Sequence, residues 1–170
     1  HAGAFWGTGG HAVGPDGFDG VIDVGVPRRA YTGLTVVGSY HDYDATPGEE
    51  AIVSRLEAMD ADIRKGAFRV NRLADLASIL DASKRVDGRH VLLGMGQLGA
   101  VTRIRADILG NEFSFGYIGE PTAPGQFSVG EMLGLGDGCT VLGILGNPLG
   151  KSKSPAMHNA ALRDLGIRGV

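Results

Sequence analysis

Apolar positions switch between two periods along most of the chain, and the order of the switches predicts the architecture. Short runs rich in β-branched and aromatic residues read as strands: "VIDVGV" (21–26), "LTVVGSY" (34–40), "ADIRKGAFRV" (61–70), "HVLLGM" (90–95) and "EFSFGYI" (112–118). Between them, "PGEEAIVSRLEAM" (47–59) sets Ile52, Val53, Leu56 and Met59 on one helical face, and "RLADLASILDASKRV" (72–86) and "LGAVTRIRADIL" (98–109) repeat the helical spacing. This alternation predicts a parallel sheet with crossover helices, in a barrel or a doubly wound fold. One interval departs from it. Pro27 to Gly33 is seven residues, whereas a parallel crossover needs about a dozen, so the first two strands are either not parallel neighbours or lack a helix between them.

The pattern changes towards both ends. The first twenty residues are Gly-rich and carry neither period, so they read as a loop or an irregular remnant. After Gln126, "FSVGEMLGLG" reads as a short helix and "CTVLGILGNP" (139–148) as a fresh strand running into a Gly/Pro/Ser-rich turn. "MHNAALRDLGIRGV" then reads as a helix approaching another strand. The chain begins at His1 and stops in that approach, so both ends read as interrupted. The expected division is 1–20 remnant, 21–136 main unit and 137–170 the start of a second unit.

Composition narrows the ligand. The 170 residues are 43% hydrophobic, enough for one domain or pieces of two. Sixteen basic against nineteen acidic residues give a charge of −3, and no Lys/Arg block marks a nucleic-acid or anionic-membrane surface, which points to a small-molecule ligand. The single Cys139 cannot form an internal disulfide, and no apolar run approaches the roughly 18 residues of a membrane span. A cytoplasmic location is expected.

Candidate chemistry gathers at one sheet edge. Thr46 is a fitting N-cap, Pro47 a fitting first helical residue, and Glu49 can close a capping box. His41 stands just before them, in the strand-to-helix loop at the carboxyl edge where α/β folds place their sites, with Asp42 and Asp44 expected to form the turn. Lys65 lies inside a strand that is otherwise buried, an expensive place for a charge, and a desolvated amine is the nucleophile of imine chemistry. Singly, His41 could be a turn-capping residue and Lys65 a side chain reaching out from a strand end. Adjacent strands offering a base and an amine to the same edge favour a site. A different reading starts from Gly94, Gly96 and Gly99, a G-x-G-x-x-G run with Glu120 about twenty residues on, the outline of an NAD(P)-dependent oxidoreductase. That pattern is short, and 29 glycines make chance matches easy.

"SYHDYDATP", "ADIRKGAF", "MGQLGAVTRI" and "FGYIGEPTAPGQFSVGEM", in that order and at suitable spacings, resemble the second half of type I 3-dehydroquinate dehydratase. The resemblance covers roughly Val21 to Leu133. It implies an incomplete TIM (β/α) barrel that dehydrates 3-dehydroquinate through a lysine Schiff base, within the shikimate pathway of aromatic amino-acid biosynthesis. By position it implies Lys65 as the imine-forming lysine and His41 as the base. Arg103 becomes the grip on the substrate carboxylate, Thr122 and Gln126 the loop that closes on the substrate, and no metal or organic cofactor is implied. Gly25 stands where the family usually has a glutamate hydrogen-bonded to the base.

"VLGILGNPLGKSKSPAMHNAAL" (141–162) resembles the amino-terminal substrate segment of shikimate dehydrogenase. That likeness implies that Ser152 and Ser154 bind the carboxylate side of shikimate, that residues 137–170 hold the first strand and helix of a second α/β domain, and that NADP belongs to the part not present. Together the two resemblances imply a piece of a dehydratase–dehydrogenase fusion. A truncated product without turnover, and pairing with a second copy as a homodimer, complete the expectations.

Overall fold

The structure is a computed structural model that describes residues 21–24, 35–121, 125–146 and 149–170. The first twenty residues, expected to be irregular, lie outside the described residues, as do Gly25, the interval 27–33 and Thr122. Strands β1 (Val21–Val24), β2 (Thr35–Asp42), β3 (Ile63–Arg69) and β4 (His90–Met95) form one sheet in the order β1-β2-β3-β4. Every neighbouring pair is parallel, so β1 and β2 are parallel neighbours after all. Sequential parallel order, without the reversal of a doubly wound sheet, is that of a barrel segment.

Strands β2 to β4 carry an apolar cluster on each face, as parallel strands require when each face is covered. On one face, Ile52, Val53 and Leu56 of helix α1 (Glu49–Glu57) and Ile79 and Ala82 of helix α2 (Leu73–Ser83) pack on Phe68, Val70 and Leu92. Gly66 makes room there: a Cβ at this position would stand 2.7 Å from the Phe68 ring and 3.1 Å from Leu56. Full burial of a side chain such as Phe68, Ile52 or Leu56 stabilises by about 1.5–3 kcal/mol. On the other face, Val37, Ile63, Ala67, Val91 and Leu93 form a second cluster with Met95, Phe113 and Phe115.

Several boundaries differ from the sequence pattern, each for a local reason. Helix α1 begins at Glu49 behind Gly48, with no side-chain cap. The Thr46 hydroxyl instead donates to the Arg69 carbonyl at 2.6 Å, tying the α1 approach to the end of β3. The helix expected over 98–109 divides into α3 (Val101–Ile104) and a 3-10 turn at Ala106–Leu109. The break falls at Arg105 (φ −117°, ψ 47°), whose guanidinium binds Asp107 and reaches the Cys139 carbonyl.

The strand expected over 112–118 does not form, because the outer edge of β4 is already occupied. The Asn111 side chain accepts from the Leu92 N–H at 2.8 Å and donates to the Leu92 carbonyl at 2.9 Å. Glu112 N–H donates to the His90 carbonyl, and the Thr102 hydroxyl accepts from the Gly94 N–H. Residues 112–118 are left with an isolated bridge from Tyr117 to Ser128.

Beyond Gln126, helix α4 (Val129–Leu135) starts from a reciprocal Ser128–Glu131 capping box, and helix α5 (Ser154–Asp164) carries Pro155 in its first turn. Of the strand expected over 139–148, the described residues 139–146 show three backbone bonds that join Thr140 and Leu142 to Arg168 and Val170 in parallel. The sense is β-α-β across α5. No helix among the described residues is long and apolar enough to cross a membrane.

Candidate active site

Lys65 sits mid-strand on β3, in register with Ser39 of β2 and Val91 of β4. Side chains alternate along a strand, so Lys65 shares the face of Ile63 and Ala67, away from α1 and α2. It is buried at 6% exposure, as a lysine inside an apolar strand predicts. Its Nζ lies 4.4 Å from the centroid of the Phe115 ring.

His41 lies within β2 rather than in the loop after it, in register with Ala67. It therefore occupies the same face as Lys65, one strand over and two positions nearer the carboxyl edge. The ring is exposed and parallel to that of Tyr43, with centroids 5.8 Å apart and planes at 10°. Asp42 makes the turn that follows, its carboxylate accepting from the N–H groups of Asp44 and Ala45. The Asp44 carbonyl accepts from the Asn71 side chain.

Arg103 comes from α3, just beyond the carboxyl end of β4. The residue is 7% exposed, and its Nε is buried without a hydrogen-bond partner among the described residues. Burial pushes this guanidinium below its ordinary value. Its carbonyl accepts from the Ser114 hydroxyl at 2.7 Å, which joins the Arg103 turn to the residue beside Phe115.

The glycine turn between β4 and α3 is built for close approach. A Cβ on Gly99 would fall 2.4 Å from the Gly94 carbonyl carbon, and Thr102 bridges both, accepting from Gly94 and donating to the Gly99 carbonyl. Gly96 takes φ +89°, the left-handed region open to glycine. Gly125 packs on that turn so closely that a Cβ would lie 2.3 Å from the Gly96 carbonyl oxygen. Half-buried Gln126, the next residue, is thereby brought to the carboxyl edge. Ser152 and Ser154 stand elsewhere, at the start of α5, where the Ser154 N–H donates to the Ser152 hydroxyl at 3.2 Å.

Arg69 is a residue that sequence reasoning passed over. It ends β3 on the face of Lys65, its guanidinium lies against Gly96, and no carboxylate among the described residues pairs with it. The signal was the step of two from Lys65 through Ala67 to Arg69. Several carboxylates elsewhere are engaged: Glu49 and Glu50 hold Arg85, and Glu112 holds Arg89.

A parallel barrel segment with a buried lysine, a histidine on the neighbouring strand and arginines at the carboxyl edge defines the class of (β/α)-barrel proteins whose chemistry sits at the strand ends. The family model for type I 3-dehydroquinase matches residues 24–135, and the chain belongs to that family. It is 32% identical over 146 residues to a chloroplastic bifunctional 3-dehydroquinate dehydratase/shikimate dehydrogenase of Arabidopsis thaliana, covering 79% of this chain and 24% of that protein. It is 41% identical over 103 residues to a catabolic 3-dehydroquinate dehydratase of Acinetobacter baylyi, covering 56% of this chain and 38% of that one. The crystal structure of the type I enzyme of Clostridium difficile, which carries covalently modified comenic acid, superposes with a TM-score of 0.58 at 27% identity, over 66% of this chain and 52% of that one. The Geobacillus kaustophilus enzyme matches in fold at a TM-score of 0.58 and 23% identity. The chain thus spans well under half the length of these curated relatives and about half that of the solved ones.

Proposed function

We propose that this chain carries the carboxyl-terminal part of a 3-dehydroquinate dehydratase site, working through an imine on Lys65. The observation that carries the reading is the pairing of a buried lysine with a histidine on the same face of the adjacent strand. In the proposed reaction, Lys65 Nζ attacks the C3 ketone of 3-dehydroquinate and the carbinolamine loses water, leaving a protonated imine. His41 removes a C2 proton and the electron pair flows to the imine nitrogen, an electron sink for the carbanion. The enamine then expels the C1 hydroxyl, protonated by His41, as water. A second water hydrolyses the conjugated imine, releasing 3-dehydroshikimate and free Lys65.

Arg103 is assigned the substrate carboxylate, since a buried guanidinium with an unsatisfied Nε offers the donors a carboxylate accepts. Gln126 and Thr122 are assigned the contacts of the closing loop. Metal and organic cofactors have no part in this scheme. Borohydride reduction with 3-dehydroquinate is expected to attach product irreversibly to Lys65 and to fail in Lys65→Met. Intact-mass analysis showing no adduct, on protein whose Lys65 still reacts with a small acylating reagent, refutes the reading.

A second reading concerns residues 137–170, taken as the opening of a shikimate dehydrogenase-like domain after a dehydratase-like unit at 21–136. Two observations support it. The segment is wound β-α-β, and the match to the bifunctional plant protein runs to 146 residues against 103 for the catabolic dehydratase. In this reading Ser152 and Ser154 take the carboxylate of shikimate, and NADP binds outside this segment. Shikimate is expected to slow amide exchange at 152–157. Unchanged exchange at saturating shikimate removes the assignment.

A further inference from the structure

We propose that Phe115 is the positioning residue for the amine of Lys65, holding its cationic nitrogen over the ring face. Nζ stands 4.4 Å from the Phe115 centroid, within the range of cation–π attraction, which grows as water is excluded. Lys65 is almost fully buried, so the ring supplies part of the stabilisation that water gives an exposed ammonium. Phe115 is itself fixed. Phe113 packs edge-on against it at 5.3 Å and 74°, and Ser114 between them is bonded to the Arg103 carbonyl. Further along, Tyr117 exchanges backbone bonds with Phe127 and Val129. The segment that fails to become a strand therefore has a role: it lays an aromatic face on the lysine and ties that face to the Arg103 turn.

The consequence for chemistry rests on the dehydratase reading. Imine formation leaves the positive charge on the same nitrogen, so the ring favours the protonated imine as it favours the ammonium. By register, the titratable and charged positions of the described strands that share a face with Lys65 are Asp23 on β1, two strands away and level with Ile63, His41 on β2 and Arg69 on β3, while β4 offers Val91, Leu93 and Met95. These positions are unchanged in the variants below.

The test needs no turnover. The full chain is labelled with trace acetic anhydride across a pH series, with Lys84, Lys151 and Lys153 as internal references. Neutral Nζ attacks the anhydride, acetate leaves and the proton passes to buffer, whereas the ammonium does not react. In Phe115→Leu the loss of the ring favours the neutral amine. The Lys65 profile is then expected to move to lower pH, with labelling on its rising limb about three- to tenfold faster than in the parent chain. Greater access alone would raise the plateau without moving the midpoint. Phe115→Trp, which keeps a π face, and Phe113→Leu, which removes a ring from the same cluster but not from the amine, are expected to leave the midpoint in place. An unmoved midpoint in Phe115→Leu, or an equal displacement in Phe113→Leu, overturns the inference. The borohydride experiment separates the two claims. A displaced profile without a dehydroquinate adduct keeps the Phe115 assignment and removes the dehydratase, and an adduct with an unmoved profile does the reverse.

Discussion

Helices α2 and α5 are each eleven residues long, yet they meet very different surroundings. Helix α2 buries Ile79 and Ala82 completely against the sheet and packs beside α1, whereas α5 buries Leu162 alone and leaves Met157 61% exposed. Just past its end, Leu165 is 70% exposed. A helix sequence specifies which face is apolar and leaves open what covers it. In α2 the cover is the β3–β4 surface of the same unit. For α5 the described contacts are a short parallel ladder and the neighbouring α4 groove, lined by Phe127, Leu135, Arg163 and Ile167.

This contrast can be tested in order of effect. Phe68→Ala, in the wholly buried helix-side cluster, is expected to cost about 3–5 kcal/mol, while Leu165→Ala stays within about 0.5 kcal/mol. Urea unfolding of the two variants measures the gap, and equal losses would mean that both regions share one core. Next in size, Asn111→Ala leaves the Leu92 N–H and carbonyl without their side-chain partner and is expected to cost about 1–3 kcal/mol. Amide exchange should quicken at Leu92. Ser128→Ala removes the α4 cap, at a cost of about 1 kcal/mol, with helix loss confined to 129–135 by exchange.

The smallest effect is a pH slope. The Asp75 carboxylate is held below the ordinary carboxylate range, first by the Asn71 N–H and then by the Arg72 side chain. The unfolded chain therefore takes up this proton at higher pH than the folded one. The contribution of Asp75 is complete above the usual value of about 4 and fades as pH falls through the lower folded value. Asp75→Asn should flatten the acid side of the stability curve at α2. Glu131, held low first by the Ser128 hydroxyl, should continue to weaken α4 there.

The parallel alternation and the burial of Lys65 were legible because both follow from period and from the cost of a charge among apolar neighbours. His41 was legible as a candidate, but its place inside β2 was not, since Asp42 and Asp44 read as turn from the start. The strand expected at 112–118 shows why pattern alone fails. Phe113, Phe115 and Tyr117 do alternate, but pairing also needs a vacant edge, and the Asn111 amide had filled it. Thr46 failed as a cap for a similar reason, its hydroxyl having a better acceptor in the Arg69 carbonyl. Arg69 was passed over because a charge at a strand end reads by default as solvated, and only the turn packed at Gly96 shows what it lies against.

The Asn111 clamp also gives the sheet a stopped end. Backbone groups that would template another strand beside β4 are answered by a side chain of the same protein, which blunts that edge against adventitious pairing. A strand arriving beside β4, whether from the same polypeptide or in trans, would first have to displace the Asn111 amide from Leu92.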